Sequence, residues 1–171
     1  MVSANDMLAA LDDAMFDGPC RQPLPHDQAA RLREHIWNLA SVHGITLSEA
    51  NIPFLTAYGE VDGDKRKIVT PNLGSELAYF VALHEIGHFV LQLPSDEVPA
   101  DGGPPMRLYV NEAAVWEWAV ANSQVPPSAD AEQKFLKFLI SDDPGPGRAE
   151  AIDRVSRSCV ARRAQPVDPP E

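Results

Sequence analysis

Cysteine is scarce in this chain, with two in 171 residues. Cys20 and Cys159 stand far apart and form no C-x-x-C spacing, so a disulfide framework and a cysteine metal site are both disfavoured and reduced thiols are expected. Long apolar runs are missing as well. No stretch reaches the length of a membrane span, and the N-terminus MVSANDMLAALDDA has neither a basic start nor an apolar signal core. A cytoplasmic protein without a membrane partner is the expectation. Positive charge is also in deficit. The chain has 14 Lys and Arg against 25 Asp and Glu, a net charge of −11, which argues against nucleic acid or anionic lipid as a general partner. The basic residues near the C-terminus, Arg148, Arg154, Arg157, Arg162 and Arg163, are interspersed with acids and read as a solvated helix face. Internal repeats are absent.

An apolar content of 44% beside 23% charged residues is the balance of a globular domain, and 171 residues suffice to bury a sizeable core. Apolar residues recur at helical spacing over 3–16 (Met7, Ala10, Leu11, Ala14, Met15), and over Pro25 to His43 (Ala29, Leu32, Ile36, Leu39), where Gly44 is the stop. His26, His35 and His43 obey no ligand spacing and read as solvated or capping side chains. The period then shortens: Ile45–Leu47 fits a short strand, and 54–61 and 65–70 fit two strands joined by Asp62-Gly63-Asp64, ahead of a break at Pro71 and Gly74. Residues 93–108, with four prolines and two glycines, read as a long loop. Helical patterns follow at 111–123, 128–141 and 147–163, and the tail 164–171 is expected to be disordered. The fold class expected is α+β and mostly helical, one domain over 1–163, with a small antiparallel sheet (the hairpin at about 54–70) beside the helix described next.

That helix is 75–93, SELAYFVALHEIGHFVLQL, with Ser75 as N-cap and Pro94 beyond its end. It contains His84-Glu85-Ile86-Gly87-His88, an H-E-x-x-H pattern. Four residues advance a helix by about 400°, so His84 and His88 leave one face a turn apart. Two imidazoles so placed can bind one Zn²⁺, with Glu85 beside them to handle water at the metal. A catalytic zinc normally takes a third protein ligand. Glu112 begins a later helix and shares a face with Val115, Trp116 and Ala119, where a buried carboxylate would need a partner; its place near the helix N-terminus explains it equally well. Glu117, rotated from it by about 140°, is the rival, and Asp96, Glu97 and Asp101 sit on a less rigid mount. Trp116 and Trp118 read as core. A strand above such a helix can hold an extended peptide by strand addition.

H-E-I-G-H-F-V-L-Q at 84–92, E-A-A-V-W at 112–116 and Pro126 beyond them resemble the ImmA/IrrE family of zinc-dependent metallo-endopeptidases. The family's usual pattern is a hairpin, a helix with H-E-[LI]-G-H-x-x-L-H, and E-A-N-x-F-A on a later helix ending at a proline. The resemblance spans about 45–126 and implies a zincin-like domain in which His84, His88 and Glu112 hold zinc and Glu85 is the general base. It favours Glu112 over Glu117. Gln92 stands where the family often has a further His, Ala114 replaces the Asn, and S-Q-V-P replaces L-L-M-P; these departures bear on substrate choice and helix docking and remove no ligand.

The implied activity is hydrolysis of peptide bonds, with a transcriptional repressor or another regulatory protein of a phage, mobile-element or stress circuit as substrate. Tyr109 is the candidate donor to the oxyanion, with Tyr58 and Tyr79 behind it. The alternative is a non-catalytic regulatory or interaction protein that retains the fold, against which the intact Glu85 speaks.

Overall fold

The computed structural model describes residues 10–12, 14, 16–62, 65–93, 96–97, 106–139 and 147–165. Its elements in chain order are a 3-10 turn Pro19–Arg21, α1 His26–Val42, β1 Ile45–Ala50, a 3-10 turn Phe54–Thr56, β2 Tyr58–Asp62, β3 Lys65–Pro71, α2 Glu76–Leu91, β4 Asp96–Glu97, β5 Met106–Arg107, α3 Tyr109–Ala121, α4 Ala129–Leu139 and α5 Arg148–Arg163. The class is α+β and mostly helical, as expected. No helix among the described residues is long and apolar enough to cross a membrane.

The molecule is organised around α2. Leu77 to His84, Ile86 and Gly87 are all buried, so this helix is apolar nearly all round and lies in the core. β2 and β3 pack on it, as do α1, α3 and α4. Ser75 caps it as its sequence suggests: the Ser75 hydroxyl accepts the Ala78 N–H at 3.2 Å. Glu76, in the first turn, reaches across to α4, where its two carboxylate oxygens accept the Ser128 N–H at 2.7 Å and the Ser128 hydroxyl at 2.8 Å. Ser128 in turn accepts the Ala131 N–H, so one carboxylate ties the starts of two helices together.

The sheet has the order β1-β3-β2. The β2–β3 hairpin is antiparallel, with Tyr58 opposite Val69 and Asp62 opposite Lys65; Gly63 and Asp64 of its expected turn lie outside the described residues. Three readings of the sequence need adjustment here. The short strand at 45–47 runs on to Ala50 and pairs with β3 in parallel, Ile45 opposite Arg66 and Ala50 opposite Pro71, so Pro71 ends a strand that it was expected to follow. The strand expected at 54–61 starts only at Tyr58, because Phe54–Thr56 turns as a 3-10 helix that buries Phe54 against Phe16. The expected loop at 93–108 contains a two-stranded ribbon, Asp96 and Glu97 opposite Arg107 and Met106; 94–95 and 98–105 lie outside the described residues.

α1 spans one residue less at each end than its pattern suggested, and Leu32, Ile36 and Ala40 are its buried stripe. Of the helix expected at 3–16, residues 10–12, 14 and 16 are helical and the others lie outside the described set, as do 166–171 of the tail. Cys20 and Cys159 are free and buried, and burial pushes both thiols up to about 12. Four of the five arginines of α5 are engaged within this chain. Arg154 pairs with Glu117, Arg157 with Asp153 and Arg163 with Glu132, while Arg162 donates to the Ser123 carbonyl.

His35 departs from its expected role as a solvated side chain. It is half-buried, and its Nδ1 accepts the Tyr79 hydroxyl at 2.9 Å, while that hydroxyl accepts the Gln124 N–H at 2.8 Å. Burial lowers the His35 pKa from 6.5. The folded state therefore resists protonation that the unfolded chain accepts, so stability is complete above about pH 6.5 and declines as pH falls through that value towards the lower folded pKa. His35→Gln keeps an acceptor for Tyr79 without a titratable ring. Urea unfolding at pH 7.5 and pH 5 should show a smaller acid loss in His35→Gln than in the unsubstituted chain; equal losses would assign the decline to other groups.

Candidate metal centre

His84 and His88 leave the same side of α2, towards α3. Their Nε2 atoms lie 3.0 Å apart. Glu112, in the first turn of α3, meets them from the facing helix: its Oε2 is 3.3 Å from His84 Nε2 and its Oε1 is 3.6 Å from His88 Nε2. Among the described residues these three form a group that can hold a metal ion, with ligand atoms within 4.8 Å of one another. The site is nearly closed to solvent. Glu112 is 1% exposed and His84 7%, with His88 at its outer side. A carboxylate so deeply buried needs positive charge or hydrogen-bond donors close by, and a dication held between it and the two imidazoles would supply the charge.

The two imidazoles are held differently. His88 Nδ1 lies 2.9 Å from the Leu93 carbonyl oxygen. A carbonyl can only accept, so Nδ1 carries the proton and the Nε2 lone pair faces His84 and Glu112, as a metal ligand must. The chain reaches this position through Gln92, which closes α2 in the left-handed region at φ 54, the sole non-glycine with positive φ among the described residues. A non-glycine residue pays roughly 1–2 kcal/mol for that conformation. Here the turn returns Leu93 onto the last helical histidine. His84 has no such contact: its Nδ1 is buried without a hydrogen-bond partner among the described residues. Its ring lies instead on the indole of Trp116, with centroids 4.2 Å apart and planes inclined by 31°.

Close approach of α3 to α2 is what brings Glu112 within reach, and Gly87 permits it. A Cβ at Gly87 would stand 3.0 Å from both Trp118 Cε3 and Val115 Cγ1 and 3.5 Å from the Val115 carbonyl oxygen. The hairpin packs on the same helix. Gly59 of β2 leaves room for the Phe89 ring, which a Cβ would meet at 2.5 Å. β2 is one of the two outer strands of its sheet and all five of its residues are exposed.

The residues singled out in the sequence thus divide. His84, His88 and Glu112 converge. Glu85 follows His84 on α2, is partly exposed and stands outside the metal-ligand group. Glu117 is directed elsewhere: it forms an ion pair with Arg154 of α5 and raises that guanidinium's pKa, and it stands outside the His84, His88 and Glu112 group. Tyr109 opens α3, three residues before Glu112 and on the same side of the helix, and is 2% exposed. Tyr79 is engaged by His35 and Gln124, and burial pushes its hydroxyl up to about 12. Tyr58 lies exposed on β2. The Leu93 carbonyl and the Trp116 indole were not read from the sequence as parts of the site; the spacing of Trp116, four residues after Glu112 on the same helix face, was the available signal for the second.

No family model, curated protein or solved structure matches this chain. The chemistry of the site rests on its own residues.

Proposed function

We propose that this chain is a zinc-dependent metallo-endopeptidase of the ImmA/IrrE kind, with His84, His88 and Glu112 as metal ligands and Glu85 as general base. One observation carries the reading. Zinc held tetrahedrally at 2.0–2.1 Å from its ligands requires them to stand about 3.3 Å from one another. In the His84, His88 and Glu112 group the two Nε2 atoms stand 3.0 Å apart, and each faces its own carboxylate oxygen, His84 Nε2 at 3.3 Å from Oε2 and His88 Nε2 at 3.6 Å from Oε1. Two neutral imidazoles and a carboxylate are also the donor set of catalytic zinc sites that leave a position open.

When bound, zinc supplies a Lewis acid that polarises a carbonyl oxygen and acidifies water. The protein's own residues do the rest. Glu112 brings the compensating negative charge from a buried mount, and the Leu93 carbonyl fixes the tautomer in which His88 offers Nε2. Glu85, attached to the same rigid helix and open to solvent on one side, takes a proton from water and returns it to the leaving amine. Tyr109 is the proposed donor to the developing oxyanion. β2, exposed along its whole length beside α2, suits an extended peptide added as a further strand, which makes a protein segment the substrate class. A regulatory protein such as a repressor is the substrate that the resemblance suggests.

Metal content tests the proposal. Protein purified without a histidine tag should carry about one zinc per chain, Glu112→Ala should carry none, and Glu117→Ala should retain it. The Glu117 change removes only a partly exposed ion pair, worth roughly 0.2–1 kcal/mol, and should leave the fold intact. An unsubstituted chain that stays metal-free after zinc is supplied would refute the site and favour the non-catalytic alternative.

A further inference from the structure

The two metal-binding imidazoles are oriented by different means, and the difference assigns a role to an aromatic residue. His88 is fixed at Nδ1 by a carbonyl, whereas His84 has no hydrogen-bond partner at that atom among the described residues. Against the face of His84 lies Trp116, fully buried. Trp116 is itself stacked on Phe135 of α4, with centroids 4.4 Å apart and planes inclined by 16°. Phe138 flanks the indole at 5.5 Å, so the plane of Trp116 is set by two rings of α4, and Phe80 of α2 backs the Phe135 ring at 5.0 Å.

We infer that Trp116 is the positioning residue of His84, and that the Phe135–Trp116–His84 stack does for this ligand what the Leu93 carbonyl does for His88. The inference rests on the metal-site reading above. Its physical basis is directional. An imidazole that gives its Nε2 lone pair to a dication becomes electron-poor, and an electron-rich indole face attracts such a ring more strongly than it attracts a neutral imidazole. The stack therefore favours the metal-bound state over the metal-free one and contributes to affinity, beyond filling space. Indole is the strongest donor face among the aromatic side chains, with phenyl next and an aliphatic group offering none.

Affinity and ligand geometry should consequently follow the face offered at position 116. Zinc competition titration is expected to give Trp116→Phe a Kd within about threefold of the unsubstituted chain and Trp116→Leu one raised about 10–100-fold, the usual cost of losing a group that orients a metal ligand. Co²⁺ absorption gives a readout that packing alone does not move: the unsubstituted chain and Trp116→Phe should share one d–d spectrum, and Trp116→Leu should lose intensity as His84 leaves its plane. Circular dichroism of the metal-free proteins checks folding. If Trp116→Leu does not fold, Phe135→Leu replaces it, with the same expected direction. A folded Trp116→Leu or Phe135→Leu protein with unchanged Kd and Co²⁺ spectrum would overturn the inference and leave the metal site standing. Absence of zinc binding by the unsubstituted chain would overturn the site itself, and with it this role.

Discussion

Glu85→Gln is expected to lower peptide hydrolysis by about 10²–10⁴-fold while zinc content stays at one per chain. Glutamine keeps the size and the polarity of the side chain but cannot take a proton at neutral pH. It changes none of His84, His88 and Glu112, the group that can hold a metal ion among the described residues. Glu85 is partly exposed whereas Glu112 is buried, so the two carboxylates have separate environments. The buried one suits a fixed counter-charge, and the one in contact with solvent suits proton transfer. Cleavage of a mixed peptide library by both proteins at matched zinc occupancy measures the effect. Equal cleavage would remove Glu85 from the chemistry. Cleavage by neither, with zinc present in both, would point to the metal as a structural staple in an interaction protein.

The parts of this molecule that were legible in its sequence are those written in local periodicity. α2 could be placed from Ser75, from the apolar spacing that follows it and from two histidines a turn apart, because helix caps and a period of 3.6 are properties of neighbouring residues. The choice between Glu112 and Glu117 was different in kind. Both lie on α3 with apolar neighbours, and what separates them is Arg154, 37 residues beyond Glu117, which arrives opposite it only when α5 docks on α3. The family resemblance favours Glu112, the residue that the geometry brings to the histidines, over its rival Glu117; on local pattern alone Glu112 is explained equally well by its place near the helix N-terminus. β1 pairing in parallel with β3 is likewise a contact between distant segments that a run of six residues does not announce. The 96–97 and 106–107 ribbon escaped notice because two-residue strands have no period to detect. The Leu93 carbonyl is a backbone atom whose position depends on the left-handed turn at Gln92, a residue type that gives little warning of positive φ.

Gly87→Val is expected to abolish high-affinity zinc binding, and Gly87→Ala to weaken it in the same direction. The argument is one of spacing between two helices. At Gly87 a Cβ already stands 3.0 Å from side-chain atoms of Trp118 and Val115, closer than ordinary van der Waals contact, and valine would add two methyl groups beyond it. Overpacking of this kind costs roughly 1–3 kcal/mol and is relieved by moving the helices apart. Alanine offsets about 1 kcal/mol of that through its better helix propensity, so its stability should change little even where its geometry does. Metal binding has less tolerance. Glu112 rides on α3, and displacement of that helix by a few tenths of an ångström lengthens His84–Glu112 and His88–Glu112 together, while His84–His88, both on α2, stays unchanged. Zinc competition titration beside thermal unfolding of the metal-free proteins separates the two effects. Weakened binding in a Gly87→Ala protein of nearly unchanged stability would show that the glycine sets the distance between ligand-bearing helices; unchanged binding in Gly87→Val would show that the helices carry this contact without moving Glu112.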